Sequence, residues 1–88
     1  MFDRIVEKNN TEYGIINGDS KLFFIKVGNG GSIYGYENRY LRMAEKIHND
    51  HGYSVLVSGN PVEISIKDSI ALDIEFIKEY FLLYSVLL

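Results

Sequence analysis

The sequence has no cysteine and a single proline among its 88 residues. Without thiols there is no disulfide, no thiolate metal ligand, no thiol redox chemistry and no cysteine pattern that argues for export. A basic cluster is also missing. The formal charge is −3 and the pI about 5.2, so nothing gathers positive charge against phosphates, and nucleic acid is not an expected partner. No apolar run approaches the ~18 residues of a membrane span, and the opening Phe2-Asp3-Arg4-Ile5 is neither a basic nor an apolar leader. The expectation is a soluble, cytoplasmic chain.

What remains is ordinary globular composition, with 47% hydrophobic and 24% charged residues. A chain this short forms one domain at most. It buries a smaller share of its surface than a larger domain does, and it has no cross-link to compensate.

Short β-type runs open the chain. Residues 2–8 (Phe2, Ile5, Val6) suggest an edge strand, closed by the turn signal Asn9-Asn10-Thr11. Residues 12–17 carry Tyr13, Ile15 and Ile16 and stop at Gly18-Asp19-Ser20. That break predicts an antiparallel hairpin into the next strand. Leu22-Phe23-Phe24-Ile25-Lys26-Val27 is almost continuously apolar, as a strand covered on both faces is. It runs into Gly28-Asn29-Gly30-Gly31-Ser32, too rich in glycine for helix or strand.

From there the period changes. Tyr36, Tyr40, Met43, Ala44 and Ile47 share one face of a helix over about 36–51, with Gly52 placed as its left-handed C′ residue. A second buried-type strand, 53–58, ends at Gly59-Asn60-Pro61. A second helix over about 67–81 has a main stripe of Ile66, Ile70, Ile74, Ile77 and Phe81 and a neighbouring stripe of Leu72, Phe76 and Tyr80. Tyr84 to Leu88 begins another apolar β-type run. Strands alternating with helices after a hairpin predict an α/β fold whose later strands are parallel and joined by two right-handed crossover helices.

The glycine loop is the sharpest chemical feature. It leaves a buried strand and precedes a helix, so its N–H groups are candidates for holding an anion or an oxyanion. A dinucleotide fingerprint needs glycine where Ile33 stands, and a P-loop needs a lysine and a hydroxyl that are missing here. An oxyanion loop after the third strand of a hydrolase sheet fits the glycines. So does a plain strand-to-helix turn with no ligand.

Other residues suit structure better than chemistry. His48 and His51, near the end of the first helix, lack a third metal ligand and suit the negative end of the helix dipole. Ser32, Ser54, Ser58, Ser65, Ser69 and Ser85 carry no nucleophile signature. Asp68, Asp73, Glu75 and Glu79 read as the solvated face of the second helix. Tyr34 and Tyr36 flank Gly35 just past the loop; Tyr36 fits the core stripe, while Tyr34 is open to a cleft role.

Residues 21–61 and the helix that follows resemble the α/β-hydrolase superfamily of lipases and esterases. Val27-Gly28-Asn29-Gly30-Gly31 matches the glycines of that family's His-Gly-x-Gly-Gly oxyanion loop, with Val27 where the histidine often stands. The resemblance implies the N-terminal part of an α/β-hydrolase-like sheet, a single partial domain over 1–88 that ends before the Gly-x-Ser-x-Gly nucleophile elbow. It assigns Gly28, Asn29, Gly30 and Gly31 to the oxyanion loop, with the N–H of Asn29 or Gly30 as one donor, and Ser32 and Tyr34 to the cleft lining. Nucleophile, acid and catalytic histidine have no counterparts, so no activity is expected of the chain alone. No metal or cofactor is implied. Self-association is expected through the C-terminal strand edge and the second stripe of the second helix. The alternative is a small α/β module that self-associates or binds a partner or an anion without catalysis.

Overall fold

The computed structural model describes residues 1–28, 30–81 and 85–87, the last three by backbone alone. The chain forms β1 (Arg4–Lys8), β2 (Thr11–Ile16), β3 (Lys21–Lys26), a short turn of 3-10 helix (Tyr36–Asn38), α1 (Arg39–His51), β4 (Ser54–Ser58), α2 (Ile66–Tyr80) and β5 (Ser85–Leu87). The strands make one sheet in the order β1-β2-β4-β3-β5. β2 is antiparallel to both β1 and β4, whereas β3 is parallel to β4 and to β5. The fold is thus mixed α/β, with the parallel strands on one side of an antiparallel pair.

The pairing corrects one expectation. The hairpin joins β1 to β2 through Asn9 and Asn10, both in left-handed conformation; it does not join β2 to β3 through Gly18-Asp19. β4 lies between those two strands. The 17–20 segment instead docks on the far end of α1. Asp19 N–H donates to Gly52 O (2.8 Å), Gly18 N–H to Ser54 Oγ (2.8 Å), and Ser54 Oγ to Asp19 O (2.9 Å).

β4 is the central strand, and all five of its residues are buried. Its alternation splits the core by face. Val55 and Val57 join Phe2, Ile16, Ile25, Val27, Ile33 and Ala44 of α1 on one side, while Leu56 joins Tyr13, Ile15, Leu22, Phe76 and Phe81 on the other.

α1 begins at Arg39 rather than at 36. Glu37 and Asn38 take positive φ (52° and 60°), which interrupts the helical path and leaves Tyr36 80% exposed. Tyr36 is therefore not part of the core stripe; Ala44 is buried, with Tyr40, Leu41 and Ile47 packed around it. Gly52 ends the helix at φ 76°, as its position after the last periodic residue implies.

α2 starts at Ser65, whose Oγ accepts Asp68 N–H (3.2 Å). It lies across the strands, not along them. Ser69 meets Lys26 of β3, Asp73 meets Ser58 of β4 and Tyr13 of β2, Phe76 stacks on Tyr13, and Glu79 and Tyr80 meet Lys8 of β1. Its buried line is Ser69, Asp73 and Phe76, at i, i+4 and i+7. Of the stripe expected to face the core, Phe81 is buried and Ile77 packs against the same cluster, whereas Ile66 and Ile74 are 46% and 47% exposed. Asp73, expected on the solvated face, is completely buried. Residues 84 and 88 of the expected last apolar run lie outside the described residues; its middle, 85–87, forms β5 on the β3 edge.

Candidate functional site

β3 and β4 are adjacent and parallel, but their exits diverge. The β3 exit leads to α1 on one face, and the β4 exit to α2 on the other. A crevice opens at the carboxyl ends of parallel strands where neighbouring connections part in this way. The chain has one there: a cavity of about 220 Å³ walled by Glu12, Gly30, Gly31, Gly59, Asn60 and Val62, among others. A second cleft, about 380 Å³, lies on the α1 side of the same loop, lined by Gly28, Ser32, Tyr36, Arg39 and Tyr40 with Val27 at its base.

The glycine loop is tied down on the crevice side. Val27 N–H donates to Ser58 O (2.9 Å), Gly30 N–H to Asn60 O (2.9 Å) and Gly31 N–H to Gly28 O (2.9 Å). Gly31 is required by close approach: a Cβ there runs into the Val27 side chain and comes 3.0 Å from Gly28 O.

Of the loop residues singled out from the sequence, Gly30 and Gly31 wall the crevice and Gly28 lines the α1-side cleft, with two qualifications. Asn29 lies outside the described residues. Gly30, the other proposed oxyanion donor, has its N–H engaged by Asn60 O and does not present it to a ligand in this conformation. Ser32 reaches the α1-side cleft, where its Oγ accepts Tyr34 N–H (3.1 Å). Tyr34 turns away from both clefts. Its ring packs against Phe2 (centroids 5.5 Å apart) beside a separate hollow formed with Met1, Ile5 and Leu41. Tyr36, assigned to the core by its spacing, lines the cleft next to the loop together with Tyr40.

The histidines serve the end of α1. His48 Nδ1 lies 2.8 Å from Tyr53 O, and the His51 ring stacks on Tyr53 at 5.1 Å. Among the described residues no group of three or more His, Cys, Asp or Glu could hold a metal ion.

Beneath the crevice lies a polar cluster that the sequence did not disclose. The carboxylate of Asp73 accepts Ser58 Oγ–H (2.7 Å) and Tyr13 O–H (2.9 Å) on Oδ1. Its Oδ2 stands 2.9 Å from Lys26 Nζ, an ion-pair contact off the line of a hydrogen bond. Lys26 Nζ donates to Ser69 Oγ (2.6 Å), Gly59 O (2.8 Å) and Ser58 Oγ (3.2 Å). The Tyr13 hydroxyl titrates far above its usual range, first because burial disfavours the phenolate and then because Asp73 beside it holds the proton. One sign was available in the sequence: Lys26 is the only charge inside the apolar run 22–27. Its partner was hidden, because Asp73 sits 47 positions on, among other acidic residues.

The chain matches no protein-family model, no curated protein and no solved structure.

Proposed function

We propose that this chain is the oxyanion-loop portion of an α/β-hydrolase-like serine hydrolase of esterase or lipase type, inactive by itself. The observation that carries the reading is the position of the glycine loop. It leaves the carboxyl end of β3, between two parallel neighbours, and forms one wall of the crevice where the β3 and β4 exits diverge. An antiparallel pair followed by parallel strands, with a crossover helix on either face, is the arrangement the resemblance implies. Acyl transfer needs a nucleophile, a base and an orienting acid around such a loop, and the 88 residues contain no Gly-x-Ser-x-Gly. By the resemblance the loop supplies one part of a site, a backbone N–H for the developing oxyanion at Asn29 or Gly30; the Gly30 N–H is engaged by Asn60 O, and Asn29 lies outside the described residues. The purified chain should not turn over a nitrophenyl acetate ester above the buffer rate; turnover that survives repurification and follows the protein would overturn the reading.

The alternative function is a small α/β module that associates with itself. The α2 stripe expected to associate (Leu72, Phe76, Tyr80) is not free for it, since Phe76 is buried against Tyr13 within the chain. What favours association is β5, an edge strand with only β3 beside it among the described residues, and Ile66 and Ile74 of α2, each about half exposed. Light scattering separates the two outcomes. A mass of two or more chains supports association, and a monomer at high concentration rejects it.

A further inference from the structure

We propose that Lys26 is a positioning residue: hydrogen-bonded to Ser69 of α2 and Ser58 of β4, it holds the Gly59 carbonyl and so fixes the β4 wall of the crevice against the glycine loop. This goes beyond the hydrolase reading and holds for whatever ligand the crevice takes.

The contacts form a closed ring. Lys26 is the last residue of β3, two positions before the loop begins. Its Nζ donates to Gly59 O (2.8 Å), the first residue past β4. The next residue, Asn60, gives its carbonyl to Gly30 N–H (2.9 Å). From Gly30 the chain leads back to Lys26. Gly59 is held from the other side too, since its N–H donates to Glu12 O of β2 (2.9 Å). One ammonium therefore links the end of β3, the exit of β4 and the middle of α2.

Stability alone does not account for the pair. Asp73 has no exposed side-chain surface and Lys26 only 15%. Withdrawing two charges this far from water offsets most of their attraction, and a well-packed apolar pair often does as well or better. An apolar pair, however, offers no donor to Gly59. The ammonium has three donors, and the structure directs them at Ser69 of the helix, Ser58 of the strand and Gly59 of the exit. That is a geometry for setting one element's position from two others.

Two variants separate positioning from mere stabilisation, read by amide hydrogen exchange at Gly30 against the amides of Val55 to Val57. The double variant K26M/D73L replaces the pair with apolar groups. It should lower the melting midpoint, because the buried Tyr13 O–H and Ser58 Oγ–H lose their acceptor, and Gly30 should exchange about tenfold faster relative to the β4 core, the order expected when a charged hydrogen bond is removed. Asp73→Asn leaves Lys26 and its bond to Gly59 in place. It should lower the midpoint yet leave Gly30 as slow, relative to the core, as in the parent. Either variant can refute the proposal alone, so failure of one to fold leaves the other decisive. Undiminished protection of Gly30 in the double variant, or its release in Asp73→Asn, overturns the proposal.

Discussion

Truncating Phe76 tests which stripe of α2 is the core. Phe76 is 2% exposed and sandwiched, with its ring 3.9 Å from Tyr13 and 4.3 Å from Tyr80, both stacked. Phe-to-Ala changes at buried sites cost about 3–5 kcal/mol, from lost transfer energy and the cavity left behind. Loss of two aromatic contacts places Phe76→Ala toward the upper end. An 88-residue domain has a total stability of roughly 4–13 kcal/mol, so this one change removes a large part of it. Ile74 is 47% exposed. Its truncation removes only part of a side chain whose full burial is worth about 2–3 kcal/mol, so Ile74→Ala should cost about 1 kcal/mol. Each kcal/mol lowers the midpoint by roughly 4–8 °C in a domain of this size. Thermal melts followed by circular dichroism should then show a drop of about 20 °C or outright unfolding for Phe76→Ala, and about 5 °C for Ile74→Ala. Equal losses, or a larger loss at Ile74, would show that the isoleucine stripe faces the sheet and that α2 is rotated from the arrangement described.

Three further outcomes follow from the buried cluster and the loop. Tyr13 keeps its proton to higher pH folded than unfolded. Its contribution is therefore whole below about pH 10, where the unfolded phenol begins to ionise, and declines as pH rises further; urea melts from pH 8 to 11 should show this loss, and Tyr13→Phe should flatten it. Lys26→Met alone leaves the Asp73 carboxylate buried without its cation, and denaturant melts should register about 3–5 kcal/mol of destabilisation. Gly31→Ala pushes a methyl into Val27, so it should cost about 1–3 kcal/mol in the same melts, whereas Gly28→Ala, with open space around its Cα, should cost less than half as much.

Much of the fold was legible because period and burial agreed. The alternation of Val55, Leu56 and Val57 between two covered faces reads directly as a central strand, and Gly52 marks the end of α1 by position alone. Pairing partners were not legible. Gly18-Asp19 has the look of a hairpin turn, and only the three-dimensional docking of that segment on Gly52 and Ser54 shows that β4 separates β2 from β3. α2 misled for a related reason: its apolar residues span so wide an arc that spacing allows two core faces. Only the packed structure shows which residues meet the sheet: Ser69 and Asp73 beside Lys26, and Phe76 stacked on Tyr13. Within the site, the glycines were visible as a motif. The tether between Gly30 and Asn60 was not, since backbone hydrogen bonds between distant loops leave no mark on residue identity.

The proposal to test is that the glycine loop belongs to a hydrolase sheet, which needs a nucleophile elbow that these 88 residues do not contain. The most direct measurement is the DNA of the source locus, read past codon 88 and translated in all frames. A Gly-x-Ser-x-Gly segment is expected immediately downstream, in frame or after a shift. A stop codon followed by unrelated sequence would contradict the claim and leave the crevice to a binding module.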